Sequence, residues 1–142
     1  MNSQQRREKI LEMHDASQTG DIEKIKKLIE QGISVNDRFH PDFYAFREAA
    51  SFGHSEIVKL FLEHGADIHD WDDWALISAS ERGHYDTVSV LLEHGANIHA
   101  RDDKAYREAV SRGREDIAKL LLAYGADIHA EDPDAGLYED DA

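Results

Sequence analysis

Histidine and carboxylate side chains are the residues of this 142-residue chain whose types and spacing could do chemistry. Five of the nine histidines occupy two positions of a repeated segment, His64 and His94 at one, and His69, His99 and His129 at the other. Imidazoles bind zinc at about 2.0–2.1 Å, whereas equivalent residues of stacked repeats lie roughly 10 Å apart. The spacing therefore favours histidines that are solvated or hydrogen-bond the loop backbone, and we expect no metal site.

Two aspartate doublets, 72–73 and 102–103, could form carboxylate pairs for acid–base catalysis. Adjacent side chains usually point apart, however, and each doublet precedes a predicted helix, where Asp73 and Asp103 could cap free backbone N–H groups. The chain carries no nucleophile elbow, phosphate-binding glycine loop, dinucleotide fingerprint or zinc-protease motif. It also has no cysteine, which excludes thiolate chemistry and disulfides. We therefore expect a protein that has no enzymatic activity and binds no cofactor.

The charge balance argues against direct nucleic-acid binding. The chain holds 16 Lys and Arg against 30 Asp and Glu, a formal net charge of −14. Counterion release requires clustered basic residues on one face, and acids interrupt the best cluster, Lys24, Lys26 and Lys27. Six acids and no base lie in residues 131–142, which predicts a solvated acidic tail. No apolar run is long enough to span a membrane and no secretory signal is visible, so a soluble cytoplasmic protein without membrane contact is expected.

A repeat organises the chain. The segment His-Gly-Ala-Asp-Ile-His at 64–69 recurs with one change at 94–99, where Asn97 replaces Asp, and with one at 124–129, where Tyr124 replaces His; a weaker copy occupies 31–36. A second glycine series has the same spacing of 33, 30 and 30 residues: Gly20, Gly53, Gly83 and Gly113. Two independent markers with one spacing predict four structural units.

Each unit has the pattern of a helix pair. Apolar residues at i, i+1, i+4 and i+5 form one stripe along the second helix. A glycine after each stripe predicts a left-handed C-terminal cap, at Gly32, Gly65, Gly95 and Gly125. The first helices of three units are predicted at 44–52, 74–82 and 104–112. Residues 4–18 supply the remaining one, with Ile10, Leu11 and Met13 facing inward.

The stretch Ala-Ala-Ser-Phe-Gly-His-Ser-Glu-Ile-Val-Lys-Leu-Phe-Leu-Glu-His-Gly-Ala-Asp at 49–67 resembles an ankyrin repeat nearly position for position. The resemblance implies an all-α ankyrin-repeat solenoid of four stacked helix-turn-helix repeats with shortened loops. The implied domain covers residues 1–130, with repeats at about 4–36, 37–69, 70–99 and 100–129. The usual Thr-Pro-Leu-His turn is absent. This compact form is similar to repeats of large DNA viruses and some bacteria, which implies a host-cytosol location for a viral or bacterial effector.

Loops and the concave face of first helices usually contact partners in that family, so their aromatic and basic residues are candidate contacts. Exposed Trp, Tyr, Phe and Arg dominate binding hot spots. Alternatively, Trp74 and Phe43 fill the space left by the missing turn. The candidate partner-binding residues are Phe39, Phe43, Arg47, Trp71, Trp74, Ile77, Arg101, Lys104 and Arg107.

These observations predict a non-catalytic interaction module that binds, and inhibits or tethers, another protein. The alternative is an acidic, nucleic-acid-mimicking inhibitor of a DNA- or RNA-binding enzyme. Salt separates the two, because a charge-based complex weakens steeply as ionic strength rises.

The two ends of the stack differ in sequence. Lys24 and Lys27 stand where the second repeat has apolar residues, as a capping repeat requires. The fourth repeat keeps Ile117, Leu120 and Leu121, and no polar residue replaces them. Either Leu137 and Tyr138 of the acidic tail fold over this face, or a second copy of the chain covers it in a weak homodimer through the C-terminal repeat.

Overall fold

The computed structural model describes residues 1–129, which form eight α-helices and no strand. The expectations for the acidic tail at 131–142 lie outside the described residues. The helices are α1 Ser3–Thr19, α2 Ile22–Glu30, α3 Ala45–Ser51, α4 Ser55–Glu63, α5 Asp70–Arg82, α6 Tyr85–Glu93, α7 Ala100–Ser111 and α8 Glu115–Ala123.

The helices form four antiparallel pairs, α1–α2 to α7–α8, which we call the first to fourth repeats. The first helices α1, α3, α5 and α7 pack side by side in one layer, and α4, α6 and α8 pack in a second. Each repeat contacts its neighbours and buries one apolar stripe between the layers. The predicted all-α solenoid is confirmed. No helix among residues 1–129 has the length and hydrophobicity needed to cross a membrane.

Glycines end the helices as predicted. Gly65, for example, has φ 86°, in the left-handed region, and so do the three glycines at the equivalent place in the other repeats. Gly53 has a further reason to lack a side chain. A Cβ there would lie 2.5 Å from Nδ1 of His84, whose Nε2 is 2.9 Å from the carbonyl oxygen of Ser51. The imidazole of one repeat thus packs under the turn of the preceding repeat.

The buried core corrects two predictions about helix faces. Met13 is 1% exposed, as expected for an inward residue, but Leu11 is 38% exposed. At the other end, Ile117 and Leu121 are core residues with 3% and 0% exposure, because their stripe packs between the layers of their own repeat. The prediction that these residues form the bare C-terminal face is therefore wrong.

Left-handed backbone at three consecutive residues interrupts the start of α5 and of α7. Residues 71–73 have φ between 52° and 58°, and residues 101–103 have φ between 53° and 56°. This conformation costs an L-residue roughly 1–2 kcal/mol, although Asp adopts it more readily than most residues. Contacts from the last residue of each turn must offset this cost. The two turns lie in the shortened loops, where they redirect the chain into the first helix.

Candidate partner-binding surface

Two buried aspartates each tie the start of a first helix to the loop that ends the same repeat. The Asp73 carboxylate accepts hydrogen bonds from Nδ1–H of His69 at 2.9 Å and from the backbone N–H of Asn97 at 2.6 Å. Asp103 repeats this arrangement with His99 at 2.9 Å and the backbone N–H of Asp127 at 2.8 Å. The prediction that these aspartates cap their own helices is wrong, because each carboxylate instead accepts a backbone N–H from the loop at the end of the same repeat. Their bonds stabilise the left-handed turns.

The phenol of Tyr44 has the same linking role in the second repeat. Its oxygen accepts a hydrogen bond from the backbone N–H of Asp67 at 2.8 Å and donates one to Oδ1 of Asn36. The side chain is fully buried. Burial raises the pKa of the Tyr44 phenol above its ordinary value of 10.0, although the Asp67 N–H and the nearby Arg38 charge lower it.

A buried ion-pair network lies beside this phenol. Asp70 Oδ1 is 2.9 Å from Nη2 of Arg38, and its Oδ2 is 2.7 Å from Nε of Arg47. The side chains of Asp70 and Arg47 are only 8% and 7% exposed. Arg47 also donates a hydrogen bond to the carbonyl oxygen of Pro41 at 2.9 Å, so the second-repeat loop is tied to the start of α5.

The network fixes the ring of Trp71. The Arg47 guanidinium lies 3.8 Å from the centre of that ring, within the range of a cation–π contact. Trp71 nevertheless remains 50% exposed, because the left-handed turn directs it away from the core. The Arg47 guanidinium, which Asp70 holds in place, thus packs against one face of the indole, and the rest of the ring faces solvent.

Two more aromatic rings are exposed on the loop that Arg47 ties down. Phe39 and Phe43 are 38% and 44% exposed, with ring centres 5.6 Å apart. In the next loop, Nε of Arg101 lies 3.7 Å from Asp72, at an open cleft of about 720 Å³ between the third and fourth repeats. We call the exposed residues Phe39, Phe43, Trp71 and Arg101 the loop-edge surface.

The other candidate residues are less accessible than expected. Arg47 and Ile77 are 6% and 1% exposed, so their predicted exposure is wrong, because each packs between adjacent repeats. Trp74 is half-buried against the core, and Lys104 is half-buried too. Arg107 donates hydrogen bonds to the carbonyl oxygens at 101 and 102, at 3.0 and 2.9 Å, and so supports the second left-handed turn.

Four of the five repeated histidines, His64, His69, His94 and His99, contact backbone or carboxylate oxygens through their rings. Nδ1 of His64 lies 2.9 Å from the carbonyl oxygen of Leu60, and His94 makes the same contact with Val90 at 2.8 Å. These two imidazoles therefore contact the backbone, but at a carbonyl one turn back in α4 or α6 and not in a loop as predicted. Among residues 1–129, no three His, Asp or Glu side chains converge on a point where a metal could bind.

Asp70 is the important residue that sequence reasoning missed. The signal was a departure from the repeat, since the equivalent residue after His99 is Ala100. The next repeat has only the methyl group of Ala100 at this position. A carboxylate there requires a nearby positive charge or hydrogen-bond donor. Here the partners are two arginines, both from the second repeat.

The chain is a helical repeat protein. Its helices are paired, glycines end them, hydrogen bonds join one repeat to the next, and the exposed loops line one edge. The family described as Ankyrin repeats (3 copies) matches residues 13–102 and 49–132. The chain belongs to the ankyrin-repeat family.

A curated relative is similar over a shorter stretch. Serine/threonine-protein kinase 12 of Arabidopsis thaliana is 42% identical over 55 residues, which is 39% of this chain and 12% of the kinase. The match therefore leaves most of the kinase uncovered. Ankyrin repeats are generally protein–protein interaction modules and are typically non-catalytic.

Proposed function

We propose that this chain binds, and thereby inhibits or tethers, another protein through its loop-edge surface and the adjoining exposed side of the first-helix layer. The observation that carries the proposal is the state of Trp71, a half-exposed indole held in place by a buried Arg47–Asp70 ion pair. Tryptophan is among the residue types most enriched at binding hot spots. The partner of this surface is a different protein.

Trp71 is already ordered before a partner arrives, and this lowers the entropic cost of binding. Immobilising a mobile side chain on binding costs roughly 0.5–1.5 kcal/mol. Stacking on Arg47, which is itself tied to Asp70 and Pro41, removes much of that cost from the binding step. A partner can therefore gain the apolar contact of the indole with little opposing entropy.

The flanking residues supply a polar rim around the aromatic centre. Arg101 is exposed and weakly paired with Asp72, and Lys104 on α7 is half-exposed. Apolar anchors within a rim of charged groups of both signs are typical of transient protein interfaces.

Capture of partners from a lysate of the native host, followed by binding measurements with the purified partner, tests the proposal. Trp71→Ala should abolish capture and leave the melting temperature nearly unchanged. Phe52→Ala is the matched control, because Phe52 is a similarly exposed aromatic, at 48%, on a different part of the second repeat. Equal capture by both variants and the wild type would show that Trp71 is not an anchor.

Ionic strength distinguishes this proposal from an acidic nucleic-acid mimic. A complex anchored by aromatic rings should change little in affinity between low and physiological salt. A mimic depends on many charge contacts and should weaken steeply over the same range. Steep weakening, together with unchanged capture by Trp71→Ala, would favour the mimic.

A further inference from the structure

The open cleft of about 720 Å³ between the third and fourth repeats is rich in hydrogen-bond acceptors. Its lining includes the carboxylates of Asp72, Asp73 and Asp102 and the guanidinium of Arg101. The Asp72 side chain is 77% exposed, and its carboxylate lies 3.7 Å from Nε of Arg101, which is beyond hydrogen-bonding distance. The exposed carboxylates of Asp72 and Asp102 can therefore accept hydrogen bonds from a further cation.

Two imidazoles of the cleft add acceptor nitrogens. His69 donates its Nδ1–H to Asp73, and His99 donates its Nδ1–H to Asp103, each at 2.9 Å. In a neutral imidazole whose Nδ1 carries the proton, Nε2 is an acceptor. The two side chains are 59% and 60% exposed, so a molecule in the cleft can reach them. Acceptors of this kind suit a positively charged donor.

The preceding junction shows which side chain suits such a place. Between the second and third repeats, Arg47 lies 2.7 Å from the Asp70 carboxylate and 3.8 Å from the centre of the Trp71 ring. One repeat later, Ile77 stands in place of Arg47 and Ala100 in place of Asp70, and Ala100 lines the cleft. The third–fourth junction thus has exposed acceptors but no arginine at the equivalent position.

We propose that this cleft binds an arginine side chain of the partner protein. The inference rests on the proposed function, because Asp72 directly follows Trp71 in the same left-handed turn. A partner segment that packs an apolar side chain on the indole brings its neighbouring residues to the cleft. A guanidinium has five N–H donors in a planar fork, which matches several separate acceptors better than the compact ammonium of lysine does.

The distribution of charge along the stack is complementary to such a cation. Residues 70–99 hold six Asp and Glu against one Lys or Arg, whereas residues 100–129 hold six of each kind. The excess of negative charge is therefore local to the third repeat, which carries Trp71 and one side of the cleft. One arginine adds only a shallow salt dependence to the complex, unlike the many charge contacts of a nucleic-acid mimic.

Selection of displayed random peptides on the full chain tests the inference. The binders should carry an arginine, and its replacement by citrulline should weaken binding at least tenfold, because charge-assisted hydrogen bonds are lost while the shape is kept. Asp72→Asn combined with Asp102→Asn should weaken the same binders at least tenfold. Glu56→Gln combined with Asp86→Asn is the matched control, since it removes two exposed carboxylates from the first turns of α4 and α6, and binding should stay unchanged.

Trp71→Ala separates this inference from the proposed function. Binders that are lost with Trp71→Ala but tolerate both citrulline and the paired Asp72→Asn and Asp102→Asn changes would overturn the arginine site and leave the proposed function intact. Binders that need the arginine and both aspartates but tolerate Trp71→Ala would support the arginine site and contradict the anchoring role of Trp71. A selection that yields no arginine-dependent binder overturns the inference.

Discussion

Replacing Asp70 by asparagine should destabilise the fold and release Trp71. The substitution keeps the size of the side chain and removes its charge, which leaves the 7%-exposed Arg47 without its ionic partner. Breaking a buried ion pair from one side typically costs about 3–5 kcal/mol. Because Arg47 keeps its bond to the Pro41 carbonyl, we expect a loss near the lower limit, about 3 kcal/mol.

The loss of the second arginine contact adds little to this figure. Arg38 is 28% exposed, and water can solvate its guanidinium when the carboxylate is gone, so its contribution stays roughly below 1 kcal/mol. For a domain of this size, each kcal/mol lowers the melting temperature by roughly 2–4 °C. Asp70→Asn should therefore melt about 6–12 °C below the wild type.

Urea melts and tryptophan quenching measure the two effects separately. In a Trp74→Phe background, Trp71 is the only indole, and acrylamide should quench it more efficiently once Asp70 no longer holds Arg47. Asp72→Asn is the matched control, because its carboxylate is 77% exposed and 3.7 Å from Arg101, so its stability should stay within about 0.5 kcal/mol. If Asp70→Asn melts like Asp72→Asn and its indole is no more accessible, the ion pair does not position Trp71.

Three further predictions concern the core, stability at alkaline pH and the glycine turns. Leu92→Ala, flanked by repeats on both sides, should cost about 2–5 kcal/mol in denaturant melts, and Ile29→Ala in the terminal repeat should cost less; equal losses would contradict its capping role. The raised pKa of the Tyr44 phenol gives stability that is complete below pH 10 and is lost as pH rises through the folded-state pKa, so Tyr44→Phe should show a shallower alkaline decline. Gly53→Ala should destabilise more than Gly113→Ala, because both have positive φ but only the first would place a Cβ against an imidazole; similar melting temperatures would contradict this.

The repeat pattern was sufficient to predict the helix pairs, the glycine caps and the stacking. These features depend on local backbone preferences and on a period that recurs along the chain. The left-handed turns could not be predicted in the same way. Trp71 and Arg101 are unfavourable there on their own, and the conformation depends on a carboxylate two residues later that bonds to a backbone N–H 24 residues further along.

The residue types of the candidate partner-binding surface could be predicted, but their exposure could not. Trp71 and Phe39 were expected to be exposed, and both are. Arg47 and Ile77 occupy the same repeat position and were expected on the surface, yet neighbouring repeats cover both. Exposure of a residue in a solenoid depends on the side chains of the next unit, so a pattern read within one unit cannot determine it.

The link from Asp103 to the backbone N–H of Asp127 has a consequence for the history of such a gene. This bond uses a main-chain donor, so it can form whichever side chain stands at position 127. A duplicated copy of residues 100–129 placed after His129 would bring its own aspartate and its own donor. Unequal recombination can therefore lengthen or shorten the chain by a whole repeat in one event, and each product can fold without compensating mutations elsewhere.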